Sequence, residues 1–407
     1  MPDERRRGLF SIPAWWWALG LALAVLVSPA SALAYPWMIR YRYTGCSGCH
    51  VDPSGAGPLT HYGRVIGDTL LAPPLSDAEE PSTGPLFGAV KTPDWLNVGF
   101  DGRALWLRSK AGWGGVNTGS VPMTRRLIWM QADASAAIDV SSFIAVGSIG
   151  YAPEGALGAA LTREVEGNLV SRQHWVGYRF ESPGLTLRAG RMHLPFGIRT
   201  LEHTLWARNL TRTDINDDQQ YGLALAFSRE MIRGEVMAIA GNFQLRPDDY
   251  RERGYSAFIE AAVFDQLAVG ASSLITHRDL DPTTFAETWR HAHGAFARWV
   301  TPWEALVLQG EWDYLLSSSR EHYYWRGNAA FLQADLEFSP GMHVQAIVEG
   351  NKVGSRRRFW GHSGWLSYWW FFMPRADVRL DAIYSSVGSA GGNQRLFTLL
   401  LQGHVHL

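Results

Sequence analysis

Only two cysteines occur in the 407 residues, Cys46 and Cys49, and His50 follows directly. Two thiols three positions apart with an imidazole next are the groups that attach a c-type haem. The sulfurs add to the two vinyl groups of one porphyrin, and the histidine gives a neutral nitrogen to the iron. A structural zinc site would need four ligands, and no second cysteine pair exists to complete one. A thioredoxin-like dithiol would need a βαβ setting, which the flanking sequence does not show. The spacing therefore predicts one covalent haem c, with Cys46 and Cys49 as thioether anchors and His50 as the proximal iron ligand. The other axial position stays open. Met38 and His61 are nearest in sequence, and Met123, His193 and His203 could reach it from farther along the chain. A methionine there would raise the potential relative to histidine.

These residues need elements to position them. Arg5, Arg6 and Arg7 precede an apolar run from Ala14 to Val27 and then Ala32-Leu33-Ala34. A charged start, a short apolar centre and a small-residue site make residues 1–34 a secretory signal peptide. The apolar run is too short for the roughly 20 residues of a spanning helix. Residues 35–89 are Gly- and Pro-rich with few periodic apolar positions. They read as a small haem-binding segment ending in a linker marked by Pro73, Pro74, Pro81 and Pro85. So small a unit buries little core by itself, and the haem would serve as its core.

From residue 90 to 407 the texture changes. Stretches of about ten residues alternate apolar and polar, as strands with two unlike faces do. Leu306, Leu308, Trp312 and Tyr314 oppose Gln309, Glu311 and Asp313, and Val378, Leu380 and Ala382 oppose Asp377, Arg379 and Asp381. Short turns near residues 140, 182, 229, 265, 301, 340 and 374 alternate with longer connections around 109–122, 151–171, 193–219, 241–252, 277–288, 315–324, 351–360 and 385–393. Such alternation over about 16 strands is the pattern of an outer-membrane barrel, with tight periplasmic turns and longer outer loops. The 19 Trp, 14 Tyr and 18 Phe fit aromatic girdles at two membrane interfaces. The last strand places Phe397, Leu399, Leu401, Val405 and Leu407 on one face. A net charge of −1 gives no argument for a nucleic-acid partner. No acid–base pair, nucleophile triad or phosphate loop points to hydrolysis or group transfer. The fold class is thus all-β: an outer-membrane antiparallel barrel with a small N-terminal c-type haem segment.

The stretch TGCSGCHVDPSGAGPLTHYGR, with Tyr62-Gly63-Arg64 downstream of the haem motif, resembles the fused monohaem cytochrome–porins. RAGRMHLPFGIR, from Arg188 to Arg199, is similar to porin segments with Pro-Phe-Gly after a strand. That family comprises outer-membrane electron conduits of iron-oxidising and related bacteria. The resemblance implies one-electron exchange between an extracellular donor or acceptor, iron(II) included, and a periplasmic carrier across the lipid bilayer. It leaves self-association into a homo-oligomer open. The alternative is a diffusion porin whose haem segment is a periplasmic plug or sensor and conducts nothing across the membrane.

Two further expectations concern the lumen. In general porins the third loop folds inward and narrows the pore, so the resemblance implies that the third long connection, 193–219, forms a constriction; the alternative is an ordinary outer loop. Its Arg199, Glu202, His203, Arg208, Arg212, Asp214, Asp217 and Asp218 would supply a mixed-charge face. Glu311, Asp313, Asp335, Glu337 and Glu349 would line one wall, with Arg179 and Arg188 inward elsewhere. This wall would either draw a cation or form the transverse field of a water-filled pore.

Overall fold

The computed structural model describes residues 36–43, 45–72, 92–113, 123–152, 168–180, 182, 184–202, 204–229, 231–241, 251–281, 285–319, 324–354, 360–389 and 392–406. The predicted signal peptide, the proline-marked linker with the expected 89/90 boundary, Thr44 and His203 lie outside them.

Seventeen antiparallel strands form one sheet that closes on itself, because β1 (Leu96–Trp113) pairs with both β2 (Met123–Val140) and β17 (Gly392–His406). Two of them, β4 (Asn168–Val170) and β5 (His174–Phe180), lie end to end against β3 (Phe143–Ala152) and make one stave. The barrel therefore has sixteen staves, the number that the sequence predicts. Closure gives each stave a neighbour on both sides, which is how a barrel wall pairs its N–H and C=O groups without water.

Side-chain alternation matches expectation. Gln309, Glu311 and Asp313 of β12 (Leu306–Ser319) are buried toward the lumen, while Trp312 and Tyr314 face out. Asp377, Arg379 and Asp381 of β16 (Ala376–Ser389) point in, and Leu380 points out. Exposed aromatics gather at both rims. Phe143, Phe264, Trp303 and Phe338 stand at the short-turn end, and Trp289 and Trp360 at the other. Both ends of the barrel chain, Leu96 and His406, lie at the short-turn rim, which faces the periplasm in outer-membrane barrels.

One expectation needs correcting. The connection between β16 and β17 is not a nine-residue loop at 385–393. Pairing runs on to Ser389↔Gly392. Strands of 14 to 18 residues exceed the 9–11 that cross a bilayer, so hairpins continue beyond the wall and absorb what reads as loop.

The lumen is filled from two directions. From the short-turn side enters residues 36–72: a 3-10 helix (Pro36–Tyr41), a turn at Cys46–His50, and α1 (His61–Leu70). Trp37, Met38, Ile39, Leu71 and Ala72 pack on Ala268, Val300, Val307, Trp369 and Phe371 of the wall. Each large side chain so buried stabilises by about 1.5–3 kcal/mol. From the long-loop side, residues 193–219 bend inward, carrying the short helix α2 (Trp206–Thr211) against β12, β13 (Tyr324–Ser339) and β14 (Met342–Val353). The inward alternative for this loop is the one realised.

Candidate functional site

The amides of Cys49 and His50 both donate to the carbonyl of Cys46, at 3.2 and 3.0 Å. One helical turn thus forms at CSGCH and makes positions i, i+3 and i+4 neighbours. A loop closes back on this turn. Thr60 N donates to Cys49 O at 2.8 Å, and Thr60 Oγ1 donates to Gly48 O at 2.8 Å while accepting from Gly63 N to cap α1. Gly63 explains the Tyr-Gly-Arg signature: a Cβ there would lie 2.1 Å from Cys49 O. Arg64, buried behind it, donates to Leu59 O and to Asn97 Oδ1 of β1, at 2.9 and 3.3 Å.

The turn is held in the lumen by charge. Asp52 is fully buried and accepts from Arg188 Nη1 at 2.6 Å, from Trp175 Nε1 at 3.1 Å and from Ser54 N at 2.7 Å. Arg188, on β6 (Leu185–Met192), also pairs with Glu235. Burial opposes ionisation of Asp52, but the Arg188 guanidinium and the Ser54 bonds outweigh it and hold the carboxyl below its ordinary range. Farther round, Asp68 pairs with Arg375 at 2.6 Å, and Arg40 bridges Asp335 and Glu337 at 2.8 and 2.6 Å.

The predicted acidic wall therefore serves as docking ground. Asp335 and Glu337 take Arg40. Glu311 pairs with Arg208 and accepts from Ile198 N at 2.6 Å. Glu349 accepts from Trp206 N at 2.8 Å and from Trp365 Nε1 at 3.1 Å. Glu202 of the inward loop takes Arg379 at 2.6 Å. Gly197 of the Pro-Phe-Gly segment has φ +56°, and a Cβ there would lie within 2.6 Å of the Glu311 carboxylate. Arg179 pairs with Asp139 at 3.1 Å, nearer the short-turn rim.

A cavity of 230 Å³ opens beside the turn and includes Met38, Cys49, His50 and His193 in its lining. Burial pushes the Cys49 thiol up to about 12 and holds His50 down to about 4, so both are neutral at pH 7. His50 Nδ1 is buried without a hydrogen-bond partner among the described residues. A neutral imidazole with unspent capacity is the donor an iron centre takes. Arg64, Arg199 and Arg375 also line the cavity and could face the two carboxylates of a haem. Cys46, by contrast, lines a second cavity of 190 Å³ and accepts from Arg233 Nη1 at 3.6 Å. The turn and donor set fit a c-type haem, and seating one ring on both sulfurs means opening the wall between the two cavities.

The distal candidates separate. Met38 is buried and lines the cavity, as does His193, whose Nε2 meets Gln173 Nε2 at 3.0 Å. His61 is exposed at the first turn of α1 and is absent from that lining, and Met123 is exposed on β2 beside Arg108. Asp52, Asp68, His404 and His406 were not singled out by sequence. For the last two a signal existed: two histidines two apart on the polar face of the final strand. Nothing local marks Asp52.

The architecture has clear counterparts among solved structures. OmpT of Vibrio cholerae, as a loop L8 deletion mutant, matches with TM-score 0.55 at 12% identity over 77% of this chain and 100% of that one. An anion-selective porin from Comamonas acidovorans matches with TM-score 0.57 at 9% identity over 77% and 99%. The outer-membrane channel DcaP of Acinetobacter baumannii matches with TM-score 0.55 at 10% identity over 78% and 99%. No family model and no curated protein matches the chain. The fold is that of the sixteen-stranded outer-membrane porins.

Proposed function

We propose that the chain is an electron conduit of the bacterial outer membrane in which the lumenal plug carries one c-type haem. The observation that supports this reading most is the position of the Cys46–His50 turn. It lies inside the barrel, fixed by Asp52 to Arg188 and by Ser54 O to Arg199 of the inward loop, at 2.5 Å for the latter. When bound, a c-type haem supplies a one-electron couple. Cys46 and Cys49 provide the covalent anchors, and His50 provides the proximal nitrogen. Met38 and His193 stand at the same cavity as candidates for the distal position. The plug and the inward loop narrow the aqueous path, so electrons could be exchanged between an outside donor or acceptor, iron(II) among them, and a periplasmic carrier with little solute passage.

The barrel and its inward third loop favour a second reading, a solute porin whose plug does not conduct electrons. Liposomes loaded with a reduced, membrane-impermeant dye separate the two. With an iron(III) acceptor outside, the conduit oxidises the dye through the haem, and Cys46→Ala/Cys49→Ala loses both covalent haem and dye oxidation. Dye oxidation that is absent with the unsubstituted protein, or unchanged in the variant, with ordinary solute permeation, would refute the conduit.

A further inference from the structure

The lumenal face of the final strand carries a cluster that the plug does not use. Register sets Asp377 of β16 opposite His404, and Asp101 of β1 opposite His406. The strand period of two puts both histidines on the same face of β17. Asp377, His404 and His406 each offer a ligand atom, and these atoms lie within 4.8 Å of one another. Asp377 and His404 are buried, at 1% and 5% exposed, and His406 is half-buried.

Several features make it a site rather than a chance grouping. His406 Nδ1 is buried with no hydrogen-bond partner among the described residues, and both histidines line the 230 Å³ cavity. Trp369 Nε1 donates to Asp377 Oδ1 at 2.7 Å and holds the carboxylate with Oδ2 2.8 Å from His404 Nδ1. Such outer partners orient ligands at metal sites. Asp101 approaches His404 Nε2 at 3.3 Å and is itself paired with Arg103 at 3.2 Å. Asp377 is the carboxylate whose oxygen lies within 4.8 Å of both histidine ligand atoms, so a cation held by them meets it.

We propose that Asp377, His404 and His406 bind a first-row divalent transition-metal cation at the periplasmic end of the lumen. Two imidazoles and one carboxylate are the borderline donors that Fe²⁺, Co²⁺, Ni²⁺ and Zn²⁺ take, whereas Mg²⁺ and Ca²⁺ prefer oxygen alone. With metal–nitrogen bonds of about 2.0–2.1 Å, tetrahedral ligand atoms sit roughly 3.3 Å apart. The 4.8 Å bound on their present separation exceeds this by about 1.5 Å, a distance within the reach of side-chain rotation. The remaining coordination positions would open onto the cavity, toward water or an exchangeable ligand.

The test uses full-length, untagged protein in detergent, stripped of metal, in a Cys46→Ala/Cys49→Ala background. No thiol and no covalent haem contributes there, so the outcome is independent of the electron-transfer reading. Zn²⁺ is titrated calorimetrically, and Co²⁺ by its visible ligand-field absorption. The expected result is one saturable site with nitrogen–oxygen cobalt bands. Affinity should fall at least about tenfold in His406→Ala and in Asp377→Asn. His291→Ala, on another strand, should change nothing. Heat-modifiable mobility on gels confirms that each variant is a folded barrel. The absence of saturable binding or of cobalt bands in the unsubstituted site overturns the proposal even if a variant misfolds. Equal affinity in folded His406→Ala or Asp377→Asn overturns it as well.

Discussion

Replacing Asp52 with alanine should loosen the plug without harming the barrel. In the docked state Arg188 and Asp52 are both fully buried, at 2.6 Å. The substitution leaves Arg188 with Glu235 alone and takes the acceptor from Trp175 Nε1. Removing one partner of a buried ion pair costs about 3–5 kcal/mol, and the retained Glu235 argues for the lower end. An undocked plug would admit water to both orphaned groups, so the cost falls on the docked state alone. About 3 kcal/mol is more than a hundredfold in the docked-to-undocked ratio. In planar bilayers Asp52→Ala should therefore show more frequent and larger conductance steps than the unsubstituted protein. Trypsin should cut at Arg40, Arg42 or Arg64 more readily, with gel mobility of the folded barrel unchanged. Asp52→Asn keeps an acceptor for Trp175 and should lie between the two. Conductance and cleavage identical to the unsubstituted protein, in a folded Asp52→Ala barrel, would refute the view that this pair anchors the plug.

Other perturbations have equally direct readouts. Gly63→Ala drives a methyl into the Cys49 carbonyl; if the proposed haem is attached, its yield on denaturing gels should fall by most of its value, while a helix-surface change such as Thr69→Ala leaves it intact. Gly197→Ala meets both a left-handed backbone and the Glu311 carboxylate, a cost of about 1–3 kcal/mol from the backbone alone. It should free the inward loop, seen as raised conductance with the plug still protected from trypsin. Burial and the neighbouring Asp217 carboxylate push Asp218 of that loop up to about 7. A carboxyl whose folded value lies above its unfolded one binds more protons when folded, so this contribution to stability falls as pH rises from about 4 to about 7. The thermal midpoint should accordingly drop between pH 5 and pH 8, and the drop should shrink in Asp218→Asn.

The wall of this protein was legible because its code is local. Alternation in 306–314 or 376–382 needs only the two-residue period of a strand, and counting connections needs only turn residues. The turn at Cys46, Cys49 and His50 was legible for the same reason, since these residues fall within one helical turn. What filled the lumen was not. Asp52 and Arg188 are 136 residues apart, and Asp68 and Arg375 are 307 apart, so no spacing rule joins them. Glu311 and Glu349 read as pore-lining acids, and that is where they point. Their partners, Arg208 and the Ile198 and Trp206 amides, come from a loop whose inward course depends on packing across the whole barrel. The two glycines were the nearest thing to a clue. Gly63 and Gly197 sit in segments with no strand periodicity, and each stands where a second piece of the molecule comes too close for a side chain.

The plug touches the wall on several sides: β1 through Asn97, β6 through Arg188, β13 through Asp335 and Glu337, and the turn before β16 through Arg375. Docked in this way, Cys46 and Cys49 are only 8% and 4% exposed. A bulky group can reach their sulfurs while the segment is free of the lumen and not once it is seated. Modification therefore comes before docking, and the seated plug protects whatever it carries.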